Sequence, residues 1–365
     1  MAAALAAVAV WSTACSTPHP LPSPPKTSNV VESCFGRVPA DWATALTGAS
    51  HRLPSGVAFL IDALAGNTAF GEYKSRTGTG IGRVDVDTGA FTPITTFPPR
   101  TGGVGGMAAA YPWLVWEQLD SQTNPSDWSV HAWNQRTGTA TVLATSRLAD
   151  GGYLPGPQPL PVLRNGRAAW AQPLVSRSGP VQFDLHAVDL DTGRQYTVDT
   201  GRVSSPVYAG GYLVWGSYAD SGGYALRAAD ATTLQRVPLP SLLGDPGTIG
   251  YLGGSSRYLA WSNADSSEVT AWQIGSPDLR RYASHDGRHP FQFLTIAGDF
   301  LLWYGGIVSS LLDLRTGRAF DVAGTLAGSP DAIAAGQSAD HTSTLANWVS
   351  RVPLPAAPAV TTCTA

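Results

Sequence analysis

The sequence predicts an all-β chain: a β-propeller of seven four-stranded blades, with six blades as the alternative. Three observations predict it. A tryptophan closes a short apolar segment at Trp116, Trp170, Trp215, Trp261 and Trp303, at spacings of 54, 45, 46 and 42 residues. A turn of the form Asp/Asn-x-x-Thr-Gly recurs at 85–89, 134–138, 189–193 and 313–317, with a degenerate copy, "DATTL", at 230–234. Forty glycines and 28 prolines accompany a hydrophobic content of 43%. Many turns with a core-forming apolar fraction suit short strands joined by tight loops.

Four strands can be read in each repeat. The Trp segments ("YPWLVW", "GRAAW", "GGYLVW", "SRYLAW", "GDFLLW") each follow a turn, in most copies one containing Gly, and alternate or run apolar as a half-buried strand does. A shorter apolar segment precedes them, as in "SPVYAG" and "TIGYLG". After a polar loop come "WSVHAWN", "FDLHAVDL", "YALRAAD", "EVTAWQI" and "SSLLDL". The recurrent turn then leads into "TATVLA", "RQYTVD", "LQRVPL" or "RAFDV"; "DLRRYA" follows "GSPD" at 275–278 instead. In that turn the Asp or Asn side chain can bond amides a few residues on, and the Gly accepts a positive φ. As a series these acids are turn formers; only in isolation would Asp85 or Asp189 suggest a catalytic or metal site.

Six full units fall at 57–98, 107–146, 158–200, 203–240, 247–284 and 290–323. The remainder, 328–355, has an apolar pair ending at "TLANWV" and lacks a fourth strand, which residues 35–56 are available to supply. The ring is therefore expected to close by pairing N- and C-terminal segments. Four-strand units of about 45 residues are the size of a propeller blade.

The termini carry a separate signal. Residues 2–10, "AAALAAVAV", are an apolar run of the length of a signal-peptide core and too short to span a bilayer. "STAC" and a Pro/Ser/Thr stretch follow. The arrangement resembles a bacterial lipoprotein signal, which implies lipidation at Cys15; it lacks a basic start and has Ser12 where Leu is usual. Plain secretion is the second reading, and an uncleaved anchor or a cytoplasmic location the third. The expected organisation is 1–15 signal, 16–34 tether and 35–365 one propeller domain, extracytoplasmic and either membrane-anchored or secreted. Cys34 and Cys363 then remain as an even pair at the two ends of the folded region, and a disulfide between them is expected at the closure.

The repeat unit "dG-x-LvW … dl-x-TG" resembles the TolB-like or WD40-like propeller repeats of bacterial exported proteins, over nearly all of residues 50–355. The Gly-His…Trp-Asp signature of true WD40 repeats is absent. The turn also resembles that of quinoprotein repeats, but the Trp that follows it there is missing, so no cofactor is expected.

Searches for chemistry return little. The sequence has no G-x-S-x-G elbow, no P-loop and no H-E-x-x-H. "SADHTSTLANW" at 338–348 begins like a sialidase repeat with Ser338 and Asp340 but has Thr where Gly is required. Charged residues are 13% and the net charge is −3, with no basic patch, which argues against a nucleic-acid partner. Candidate inward carboxylates are Asp62, Glu72, Glu117, Asp220 and Asp265; Glu117, directly after Trp116, is the one singled out for binding. His285, Asp286 and His289 could hold a cation, but the loop reads as ordinary punctuation between blades and no metal is expected. The pairs Trp113/Trp116 and Trp128/Trp133 could form a sugar- or peptide-stacking surface, but Trp116 and Trp133 read as core by the repeat; Trp128, in the long polar loop "LDSQTNPSDW", is the candidate for an exposed binding residue. Inserted loops at 119–128 and 173–182 mark a candidate working face. The expected function is a non-catalytic binding platform for a protein, peptide or glycan of the cell envelope, with a carbohydrate-active propeller enzyme or its inactive relative as the alternative. Two carboxylates converging at the channel mouth would favour the enzyme; a channel of backbone and small residues with an apolar rim would favour the platform.

Overall fold

Each repeat folds into four antiparallel strands in chain order, and seven such sheets stand around one axis. The computed structural model describes residues 30–32, 34–154, 159–175, 181–219, 222–283, 290–304, 308–338 and 345–361, with side chains from residue 35 onward. Blade 1 spans Ala58–Ala65 to Phe91–Thr96, blade 2 Gly103–Ala110 to Thr139–Thr145, and blade 3 Val162–Arg164 to Gln195–Gly201. Blade 4 spans Val207–Ala209 to Arg236–Val237, blade 5 Leu252–Gly254 to Leu279–Ala283, and blade 6 Thr295–Ala297 to Arg318–Ala323. Blade 7 consists of Thr325–Gly328, Ala332–Gln337, Trp348–Pro353 and, from the other end of the chain, His51–Arg52. The first strands of successive blades touch one another in a closed circuit, from blade 1 round to blade 7 and back, so they line the axis. Seven blades and closure by both ends of the chain agree with the sequence.

The closing element is shorter than the segment available for it. Of residues 35–56 only His51–Arg52 pairs with Trp348–Pro353. Before it, a helix not foreseen in the sequence, α1 (Ala40–Gly48), buries Trp42 and Leu46 in the seam between blades 6 and 7. The Trp42 indole donates a hydrogen bond to the Pro358 carbonyl at 2.9 Å, tying the two ends of the chain together. Earlier still, Val30–Glu32 runs parallel to the outer strand of blade 5, and Cys34–Gly36 runs parallel to the outer strand of blade 6. Cys34 thus lies beside Arg318 on blade 6 rather than at the closing strand of blade 7. Val360 also reaches blade 6, donating its amide to Asp313 and accepting from the Thr316 hydroxyl. Cys363 and Cys15 lie outside the described residues.

Seven apolar clusters occupy the seven seams between neighbouring sheets. Trp116, Trp170, Trp215, Trp261 and Trp303 each sit in the seam toward the preceding blade, none more than 3% exposed. A fully buried aromatic contributes several kcal/mol of apolar burial, so the Trp repeat is what joins sheet to sheet.

The recurrent turns behave as one structure. In each, the Gly amide donates to the carbonyl of the Asp or Asn four residues back, at 2.8 Å for Gly89, Gly138, Gly193 and Gly317. The acid's side chain takes the next amides or the Thr hydroxyl, as Asp189 does with Thr192 at 2.9 and 2.7 Å. The glycines lie at φ between 71° and 73°. Leu234 in the degenerate copy is held at φ 59°, a conformation a leucine rarely adopts, because the other parts of the turn remain. These bonds lower the Asp189 and Asp230 carboxyls below the usual range, the Thr192 hydroxyl and the Thr233 amide being the main causes.

Candidate functional site at the channel mouth

Strand direction separates the two faces of the disc. In every blade the first strand begins where the second ends and the third begins, so the connections between blades and the loops between second and third strands share one face. The recurrent turns, which join third to fourth strands, lie on the other. A pocket of about 600 Å³ opens at the first face, formed by the starts of the inner strands of all seven blades. Loops 119–128 and 173–182 belong to this same face; residues 176–180 lie outside the described part.

The lining is mainly apolar. Leu60, Met107, Leu160, Val207, Leu252 and Leu326 come from six different blades, and Tyr251, Phe293 and Tyr304 add aromatic surface. Polar groups in the described lining are few: Ser204, Ser205, Thr295, Ser309, Thr325 and a single carboxyl, Asp62. The described lining contains no lysine, arginine or histidine.

Asp62 reaches the channel because blade 1 is irregular there. Ile61 pairs with Gly71 and Ala63 with Phe70, which leaves Asp62 as the extra residue of a β-bulge. A bulge re-aims one side chain out of the alternation of its strand. Asp62 is partly open to the channel, while its Oδ2 is closed off and has no hydrogen-bond partner among the described residues. Burial, then the charge of Glu72, pushes its carboxyl up to about 7, against the effect of the Glu72 amide.

Two further acids stand behind the wall. Antiparallel neighbours share a face, and Glu72 opposes Leu60 just as Glu117 opposes Gly106. Both therefore turn toward the following blade, opposite in sense to Trp116. Glu72 accepts the Val104 amide of blade 2 at 3.2 Å; burial raises its carboxyl and that amide opposes the rise. Glu117 is wholly buried, and neither of its carboxyl oxygens has a partner among the described residues. It fits because blade 2 has its own bulge at Gly105, between the pairs Val104–Gln118 and Gly106–Glu117. A Cβ on Gly105 would lie 2.1 Å from the Glu117 Oε2. Burial alone pushes the Glu117 carboxyl up to about 8. Neither Glu72 nor Glu117 lines the pocket.

The other sequence candidates separate cleanly. Trp128, expected to stand exposed in its loop, instead begins the third strand of blade 2 and is fully buried in the seam with blade 3. The loop before it is pinned: Arg147 donates to both oxygens of Asp127 at 2.8 and 2.9 Å, which draws residue 128 inward. Asp265 is an exposed turn former that accepts from the Ser267 amide and hydroxyl. Asp220, His285, Asp286, His289 and Asp340 lie outside the described residues. Trp116 and Trp133 are core, as read, and Trp116 stacks on His131 at 5.0 Å. Trp113 is half-buried on the opposite face, its indole donating to Asp191 at 3.0 Å. The sequence reading did not find Tyr251, Phe293 or Tyr304; a signal for Tyr304 was present, since it follows Trp303 as Glu117 follows Trp116.

No protein-family model matches this sequence, and no curated protein matches it either. Solved structures do. An oligogalacturonate lyase from Vibrio parahaemolyticus aligns at TM-score 0.50 and 9% identity, covering 84% of this chain and 94% of that one. A puromycin hydrolase aligns at TM-score 0.51 and 16% identity over 84% of this chain and 53% of the hydrolase, so this chain spans about half of that protein. TolB from Acinetobacter baumannii aligns at 0.41 and 13% identity, covering 77% and 66%. The resemblance read from the repeats thus holds as an architecture: the protein is a seven-bladed β-propeller.

Proposed function

We propose that this protein is a non-catalytic, extracytoplasmic propeller that binds a ligand of the cell envelope at the mouth of its central channel. The observation that carries the reading is the pocket of about 600 Å³, whose described lining is apolar on nearly all sides with one carboxyl at its wall. Ligand sites are typically apolar concavities with a few placed polar groups. A carbohydrate-active enzyme would require an acid–base pair facing the pocket. Among the described residues Asp62 lines it, and Glu72 and Glu117 behind the wall face into blade seams. The location outside the cytoplasm rests on the signal-like start and Cys15; no helix among the described residues is long and apolar enough to cross a membrane.

Ser205 lines the pocket, so Ser205→Trp fills the channel mouth without touching a seam. Capture of envelope components by the wild type, lost with Ser205→Trp at unchanged melting temperature, is the expected outcome. Equal capture by both proteins would remove the channel from the function. Deleting loop 119–128 tests whether the surrounding face takes part.

A further inference from the structure

We infer that the channel-mouth pocket takes the ammonium group of an apolar amine, with Asp62 as its counter-charge. The inference rests on the channel-mouth reading above and adds the chemistry of the ligand. Three features of the pocket carry it. Asp62 is the single charged side chain in the described lining, brought there by a bulge. The side chain is partly open to the channel while its closed-off Oδ2 lacks a donor among the described residues, so the carboxyl is poorly solvated and a donor arriving from the channel at its open side offsets that cost. The rest of the wall is aliphatic and aromatic, from Leu60, Met107, Leu252, Phe293 and Leu326, which suits a hydrocarbon body attached to a small polar head.

Charge complementarity fixes the sign of that head. Behind the wall stands Glu72, from the same blade, and no described lining residue is basic. A carboxylate ligand would meet acids and no cation, and a neutral body would leave Asp62 as it is. An ammonium supplies up to three donors and the opposite charge. The tyrosine rings of Tyr251 and Tyr304 add faces on which a cation is attracted. The groups facing Asp62 are Glu72 from the second strand of blade 1, whose charge raises the Asp62 carboxyl, and Tyr304 from blade 6, which Asp62 in turn raises after burial. An arriving ammonium favours the ionised carboxylate, so binding near neutral pH releases a proton from Asp62 to the buffer.

The test uses the full chain and calorimetry with n-hexylammonium and 1-hexanol, which share a body and differ in charge. The expected result is about tenfold or more tighter binding of the amine. That preference is lost in Asp62→Asn, and wild-type binding enthalpy depends on the ionisation enthalpy of the buffer. The proton-release arm needs no variant, so it stands even if Asp62→Asn folds poorly. Leu-Phe-amide against N-acetyl-Leu-Phe-amide distinguishes the source: preference for the free N-terminus indicates a polypeptide end, and binding of n-hexylammonium alone indicates a small amine. Equal affinity for hexanol and hexylammonium, or an amine preference intact in Asp62→Asn, overturns the inference and leaves the channel site standing. If neither probe binds, the inference falls, and the Ser205→Trp capture experiment decides the channel site separately.

Discussion

Glu117→Gln tests the physics of the buried acids most directly. The side chain is wholly buried, both oxygens lack partners, and Gly105 is the only residue type that leaves room beside it. Its carboxyl stands at about 8 against an ordinary 4.5, with burial as the cause. The folded state therefore holds a proton that the unfolded chain has released, and ∂ΔG/∂pH is negative between these two values. The contribution is fully present below pH 4.5 and is lost as pH rises through 8. At 1.36 kcal/mol per pH unit, roughly 4 kcal/mol is lost by pH 8, with the remainder above it. Glutamine has nearly the same shape and no titration. The two proteins are expected to be similarly stable at pH 4.5, with Glu117→Gln more stable by about 3–5 kcal/mol at pH 8. Denaturant unfolding of both at pH 4.5, 6.5 and 8 reads the difference, and other groups cancel in it where they are independent of Glu117. Parallel stability curves across this range would refute the reasoning, since they would mean that the carboxyl is solvated or paired.

Trp215→Ala removes a fully buried indole from the seam between blades 3 and 4, together with its 2.9 Å hydrogen bond to Asp199. A loss of about 3–5 kcal/mol is expected by denaturant unfolding, with Trp215→Phe costing less. Cys34 and Cys363 are expected to be joined in the oxidised protein. Thiol titration of the denatured chain should find neither free, and single Cys→Ser variants should each expose one; the loop closed exceeds 300 residues, for which the chain-entropy account gives about 4–5 kcal/mol. Cys15→Ser is expected to move the protein from the membrane to the soluble fraction, as fractionation would show; retention in the membrane would refute lipidation at that residue.

Much of the ring was legible because its parts are local. The turns at 85–89 and 189–193 need only an acceptor side chain, a Thr and a residue tolerant of positive φ, all within five positions. The five tryptophans announce seams because a ring of that size at regular spacing has few other places to go. The closing strand was located to a segment and not to its residues. His51–Arg52 is too short to carry an alternating pattern, and α1 before it is weakly amphipathic with no side-chain cap, so neither boundary is written plainly. Trp128 misled for a related reason. Its neighbours are polar because they form a loop, yet the Asp127–Arg147 pair folds that loop back and the indole enters the core.

The sequence by itself determined the unit, favoured seven copies over six and placed the closing strand in the N-terminal segment, since turn chemistry and apolar periodicity act over a few residues. Only the tertiary structure decided what surrounds the axis. Asp62 lies in the channel wall because one extra residue in a strand rotates it there, and Glu117 is hidden because a second bulge at Gly105 leaves a space that no side chain fills. Residues from seven blades, hundreds of positions apart, meet at one pocket only after the ring has closed. Such meetings depend on strand register and blade geometry, which no short stretch of residues encodes.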